Sequence, residues 1–317
     1  MDWFKPYEKD LADVFAECGA RIANFPPPLN QIGLQYMQKF DVFQQGSAKN
    51  YICYLLPFWM KDLTILPSSV YHSLSTANIF GMLYFFIQDD IMDTLPDHYT
   101  PGMWKNQLAL ANLLHAEFIS IYLQFFPAET PFWTYYRTYI QEWSEGVIYE
   151  SQHDYFQHDP IQIAKKAAPV KLGSTAALLL ADRHDLVPAA TDLMNHVLLT
   201  LQMMDDWADW EQDLSDGSYN CLLSLIKSEY NLPRSHTLSI EEVHRAVYLH
   251  ESLNHYVSIA SATHLKLLSI NLDAPHVISF HEMLVDELIS EAGNIENGRK
   301  MLEHGGLNYY LSSLNKI

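Results

Sequence analysis

Basic residues are scarce. The chain has 19 Lys and Arg against 38 Asp and Glu, a net charge of −19, and its cations form no stripe beyond short pairs such as Lys165-Lys166. Binding a nucleic acid requires many clustered cations to neutralise phosphates, so no nucleic acid partner is expected. Any phosphate chemistry then has to work through metal ions. Cysteine is nearly absent too: Cys18, Cys53 and Cys221 are far apart and none sits in a CxxC pair. That usage fits a reducing compartment, with each cysteine a small core residue. Only 12 glycines leave little slack for loops. The long apolar stretches are interrupted short of the roughly 18 residues a membrane span needs. The opening MDWFKPYEKD lacks the basic start and apolar run of a secretory leader. A cytoplasmic protein is the expectation.

What the chain does have is apolar bulk. Of 317 residues, 49% are hydrophobic and 13% aromatic, enough for a substantial core. Apolar residues recur at three- and four-residue intervals through KDLADVFAECGARIANF, SLSTANIFGMLYFFIQDDIMD, WTYYRTYIQEWSEGVIYESQHDYF and AATDLMNHVLLTLQMMDDWADWEQDL. This is helical periodicity, and strand alternation is hard to find. Proline, glycine and aspartate punctuate the pattern at FPPPLN, TLPDHYTPG, FFPAETP, HDP, SDG and NLPRSH. None of these breaks is long enough for a linker, and no solenoid repeat is visible. The reading is one all-α domain over residues 1–317, with ten or more helices.

Two stretches set acids at the end of strongly apolar helices. In FFIQDDIMD, Asp89 and Asp93 lie four apart and share a helical face, with Asp90 beside them. In LQMMDDWADWEQDLSDG, Asp205, Asp209 and Asp213 repeat the spacing, with Asp206 and Glu211 nearby. Like charges at this spacing destabilise a helix by a few tenths of a kcal/mol per pair. A hard divalent cation reverses the sign. Mg²⁺ takes one or two carboxylates together with waters and substrate phosphate oxygens. One acidic helix end alone reads equally well as a solvated face; two, about 110 residues apart, point to metal-assisted phosphate chemistry.

FFIQDDIMD resembles the DDxxD motif, and QMMDDWAD the QxxDDxxD motif, of the trans-isoprenyl diphosphate synthase and class I terpene synthase superfamily. Between them, EGVIYESQHD followed by KKAAPVKLGSTAALLLA is similar to the segment that carries a diphosphate-contacting lysine. The resemblance spans about residues 45 to 220. It implies the isoprenoid synthase fold, a helical bundle around a deep apolar cavity with the acidic motifs at its mouth. It further implies that Asp89, Asp90, Asp93, Asp205, Asp209 and Asp213 hold three Mg²⁺ ions, and that Lys171 contacts the diphosphate. Gln202 would support the second motif. Lys166 and Arg299 are further candidates for diphosphate binding, and Tyr84, Phe85 and Phe86 for the cavity wall, where aromatic faces stabilise a carbocation. A homodimer is compatible with this family.

Chain-elongating members bind isopentenyl diphosphate through a basic stretch near the N-terminus and an arginine pair after the first motif. Here QGSAKNYICYLLP keeps only Lys49 and TLPDHYTPG has no cation. The expectation is therefore a terpene cyclase that ionises one prenyl diphosphate, farnesyl or geranylgeranyl. A chain-elongating or squalene-type prenyl transferase is the alternative, and a non-catalytic partner subunit a further one. Glu241 and His244 have the Glu-x-x-His spacing of di-iron bundles, so an iron-binding helical bundle is carried as another alternative. His153-Asp154 and His184-Asp185 recur as dipeptides without a wider motif.

Overall fold

The computed structural model describes residues 3–93, 102–150 and 152–303. Among the described residues there are fourteen α-helices and no strand, which bears out the all-α reading. The expected punctuation at Phe25–Asn30 falls between α1 (Glu8–Ala23) and α2 (Leu29–Gln38). FFPAETP separates α5 (Met103–Phe125) from α6 (Phe132–Tyr149), and α10 (Trp210–Asp216) ends at Gly217, whose φ of 73° is left-handed. TLPDHYTPG lies almost wholly outside the described residues. The chain divides into two compact units.

The first unit comprises Met1–Gln141, Ala168–Thr191 and Leu272–Val277. Its axis is α4 (Ser68–Asp93), which packs on α1, α3 (Tyr51–Trp59), α5 and α8 (Lys171–Leu180). Every residue from Leu74 to Leu83 is buried, because a helix surrounded by others has no solvent face to keep polar. Its buried hydroxyls find backbone acceptors: Ser75 Oγ donates to the Tyr54 carbonyl of α3 at 2.6 Å and Thr76 Oγ1 to the His72 carbonyl at 3.0 Å. Two glycines set the helix spacing. A Cβ on Gly81 would lie 2.9 Å from the Phe118 ring, and one on Gly173 would lie 2.4 Å from Asn78 Nδ2. The stretch Trp104–Phe125 within α5 has a mean hydropathy of 1.3, long and apolar enough by length and composition alone to cross a membrane, a test that core helices also pass. Within this unit it packs against α4.

The second unit comprises Glu142–Ala167, Asp192–Asn271 and Ile278–Ile317. Its core gathers Phe156, Leu199, Met203, Trp210, Leu222, Tyr256 and Leu288 from α7 (Tyr155–His158), α9 (Val187–Ala208), α10, α11 (Cys221–Glu229), α13 (Ser252–Ser269) and α14 (Pro275–Glu303). α11 starts at Asn220, whose Oδ1 accepts from Leu222 N and Leu223 N. The short α12 (Ile240–His244) starts in a capping box between Ser239 and Glu242. Fully buried His281 lies between Thr200 Oγ1 and His264 Nδ1, each at 2.8 Å. Burial first, then the neighbouring histidines, push its pKa down to about 3, so it is neutral. All three cysteines are buried and free, as expected.

Gly173→Ala forces the Asn78 amide or the α4–α8 contact to shift. Overpacking of this kind costs about 1–3 kcal/mol, which chemical denaturation measures; an unchanged midpoint would mean that Asn78 simply turns aside.

Candidate functional site

Asp89, Asp90 and Asp93 occupy the last turn of α4, where the apolar helix reaches solvent. The Tyr36 hydroxyl on α2 donates to Asp90 Oδ2 at 2.9 Å. Burial and then the negative charge of Asp90 push the Tyr36 pKa up, so the phenol stays a donor. One turn earlier on α4, Phe86 packs on Phe40 with ring centroids 5.0 Å apart. Phe85 is buried beside Tyr84, and the Tyr84 ring lies 4.7 Å from His115, whose Nε2 is 3.1 Å from the Tyr136 hydroxyl. Burial lowers the His115 pKa and, with Tyr84, raises that of Tyr136 to about 12. These are uncharged polar groups among aromatic rings.

Lys171 begins α8 and is 2% exposed, a placement that the motif resemblance does not anticipate. Its ammonium stands 4.6 Å from the Tyr139 ring centroid, and the Tyr139 hydroxyl contacts Thr175 and Thr191 Oγ1 at 3.0 Å each. A cation over an aromatic face keeps part of the stabilisation it loses with water.

The second acidic group departs from a simple helical column. α9 ends at Ala208, and Asp209, with φ −122° and ψ 16°, is the residue between α9 and α10. The i to i−4 hydrogen bonds continue across the break, Asp209 N to Asp205 O at 3.1 Å and Asp213 N to Asp209 O at 3.0 Å. Asp205, Asp209 and Asp213 therefore stay close without sharing one straight helix. Burial and then repulsion from Asp213, Asp205 and Asp206 push Asp209 up to about 7. Asp205 is raised by the protein around it and by Asp213, while the charge of Lys166 opposes the rise.

Asp206 differs from its neighbours. It is buried, with Oδ1 accepting from Gln202 Nε2 and Oδ2 from the Cys221 backbone N–H, each at 2.6 Å. Burial raises its pKa to about 6, against the lowering effect of bonds from Cys221 and Gln202 and of Lys166. Asn220 completes the set: its Nδ2 donates to the Asp206 carbonyl at 2.7 Å and to Asp213 Oδ2 at 2.8 Å. Lys166 pairs with Glu150 at 2.5 Å and lies near enough to Asp205 and Asp206 to favour their charge. Arg299, by contrast, bonds Glu296 at 2.7 Å and the Leu249 carbonyl at 3.4 Å.

Sequence reasoning missed Tyr36 and Asn220. A tyrosine 54 positions before Asp90 carries no local signal, but an asparagine four residues after Asp216 and just ahead of an apolar run reads as a helix cap.

No protein-family model and no curated protein sequence matches the chain. Among solved structures, the crystal structure of geranylgeranyl pyrophosphate synthase from Lactobacillus brevis superposes with a TM-score of 0.65, covering 90% of this chain and 96% of that one at 14% identity. The chain has the isoprenoid synthase fold. At that identity the likeness concerns the fold, and the chemistry rests on the residues.

All the candidate metal-binding oxygens are carboxylates, the hard donors that Mg²⁺ prefers. Among the described residues no three or more His, Cys, Asp or Glu side chains close into a ready-made cage. Mg²⁺ does not need one, since waters and substrate oxygens complete its shell. The repulsion that raises Asp209 is what a divalent cation would relieve. The donor set therefore fits Mg²⁺. The di-iron expectation finds no such support: His244 lies 3.9 Å from Glu211 and against Trp210. Asp154 accepts from the Tyr219 and Ser224 hydroxyls.

Because the folded-state pKa of Asp209 is raised, the folded chain binds more protons than the unfolded one between about pH 4 and 7. Metal-free stability from this group is therefore greatest at low pH and falls as pH rises through 7. Asp209→Asn removes the repulsion. In thermal melts in a chelator it should raise Tm more at pH 8 than at pH 5; an equal change at both would refute the charge argument.

Proposed function

We propose that the protein is a Mg²⁺-dependent enzyme that ionises an allylic prenyl diphosphate, the step shared by terpene cyclases and prenyl transferases. The observation that carries the reading is the pairing of an isoprenoid synthase fold with two acidic groups, at the end of α4 and around the α9–α10 break. In this reading Asp89, Asp90 and Asp93 form one Mg²⁺-binding group, and Asp205, Asp209 and Asp213 another. The bound ions supply positive charge to the leaving diphosphate. Asp206 and Gln202 fix the second group by hydrogen bonding, and Tyr36 fixes Asp90. Lys166 adds positive charge beside Asp205. The aromatic wall of Tyr84, Phe85 and Phe86 keeps water from the carbocation and offers it π faces.

What becomes of the carbocation divides two readings. The shortage of cations around Lys49 and after Asp93 supports cyclisation of a single farnesyl or geranylgeranyl diphosphate to a terpene. Likeness in fold to a geranylgeranyl pyrophosphate synthase supports prenyl transfer instead.

Purified protein with Mg²⁺ is offered geranyl, farnesyl, geranylgeranyl and geranylfarnesyl diphosphates, each with and without isopentenyl diphosphate. Products are identified by gas chromatography with mass spectrometry while diphosphate release is followed. A hydrocarbon or alcohol from one substrate alone establishes the cyclase, and longer diphosphates formed only with isopentenyl diphosphate establish the transferase. Asp89→Ala and Asp209→Ala should each lower diphosphate release roughly 100-fold or more with an unchanged helical circular dichroism spectrum. Full turnover in both variants would sink the assignment.

A further inference from the structure

Cations are rare in this chain, yet two of them meet in one place. A cleft of about 230 Å³ in the second unit is lined by Lys227 near the end of α11, by Arg234 and by His236 of the following loop. Four Ser and Thr hydroxyls, those of Ser218, Ser224, Ser235 and Thr237, line the same cleft together with Tyr219. Asp213 forms part of its wall and Asp154 another part.

One oxygen of each carboxylate is engaged as an acceptor. Asp154 Oδ1 accepts from the Tyr219 hydroxyl at 2.9 Å and from Ser224 Oγ at 2.6 Å, while Asp213 Oδ2 accepts from Asn220 Nδ2 at 2.8 Å. Lys227 Nζ donates to the Arg234 carbonyl at 3.2 Å, which ties the end of α11 to the loop and sets the ammonium, a group with three N–H donors, at the cleft wall. Arg234 donates from its guanidinium to the Gln152 carbonyl, which anchors the loop from its other side. His236 Nε2 lies 3.3 Å from Glu242 Oε1, so the ring is held at the rim.

We propose that this cleft binds a diphosphate anion without a metal ion, through Lys227, Arg234 and the surrounding hydroxyls. Lysine and arginine beside hydroxyl donors form the set that a multiply charged, oxygen-rich anion needs. The volume narrows the ligand. Pockets for drug-sized molecules run from about 300 Å³ upward, so this cleft suits a compact anion rather than a long prenyl chain. Two sources share that chemistry: inorganic diphosphate, the leaving group of the proposed reaction, and the head group of a five-carbon isopentenyl diphosphate. The choice of probes rests on the proposed function; the anion site does not.

Isothermal titration calorimetry on the full chain, in a chelator and at fixed ionic strength, tests this with inorganic phosphate, inorganic diphosphate and isopentenyl diphosphate. Both diphosphates should bind and phosphate should bind more weakly. Lys227→Gln and Arg234→Lys should each weaken diphosphate binding about tenfold or more. Thr237→Val, which leaves the loop's anchoring bonds in place, should weaken it less. Asp89→Ala and Asp209→Ala should leave metal-free binding intact, so loss of turnover in those variants and loss of binding here are read separately. Equal affinity for the two diphosphates identifies the free anion as the source; markedly tighter isopentenyl diphosphate identifies a second substrate. Absence of diphosphate binding by the wild-type chain, or undiminished binding in both Lys227→Gln and Arg234→Lys, overturns the proposal.

Discussion

The buried carboxylate of Asp206 is the interaction on which the second acidic group depends. It draws a backbone N–H from the start of α11 and a side-chain amide from α9, both at 2.6 Å. Asn220 then binds the Asp206 carbonyl and the Asp213 carboxylate while capping α11. One hydrogen-bonded knot thus joins the end of α9, the short α10 and the start of α11. Because α10 is tied at both ends, the break at Asp209 bends the acidic column without dispersing it. A buried carboxylate is costly unless its lone pairs are used, and the two short bonds to Asp206 offset that cost.

Electrostatics runs through the rest of the molecule in the same way. Twice as many acids as bases leave the chain with little positive charge to neutralise clustered carboxylates. Where a cation is supplied, as by Lys166 beside Asp205 and Asp206, carboxylates are eased toward ionisation. Where it is not, as at Asp209, the group holds its proton to near-neutral pH. A protein built this way is poised to gain from a divalent cation, because metal binding replaces repulsion among its own groups with attraction.

Much of the fold was legible in the sequence because helical burial is a local, periodic property. The apolar repeat through SLSTANIFGMLYFFIQDDIMD is one helix, and the acids stand at its end. The repeat through AATDLMNHVLLTLQMMDDWADWEQDL looked equally continuous but is two helices. That break has no glycine or proline to announce it; it is made by Asn220 and Cys221, more than ten residues downstream. Likewise WTYYRTYIQEWSEGVIYESQHDYF reads as one helix, yet α6 stops at Tyr149, whose carbonyl accepts from both Gln152 N and His153 N.

The sequence by itself determined the helical class, the cysteines' burial and the position of both acidic groups along the chain, because each follows from residue type and spacing. Only the tertiary structure decided what each acid faces. Asp90 receives a phenol from α2, Asp206 is enclosed and hydrogen-bonded, Asp209 confronts other carboxylates, and Lys171 lies beneath an aromatic ring. Identical side chains at similar spacings acquire different charge and solvation from partners remote in sequence. That difference arises because electrostatic energy depends on distance in space and on access to water, and neither is written in the local pattern.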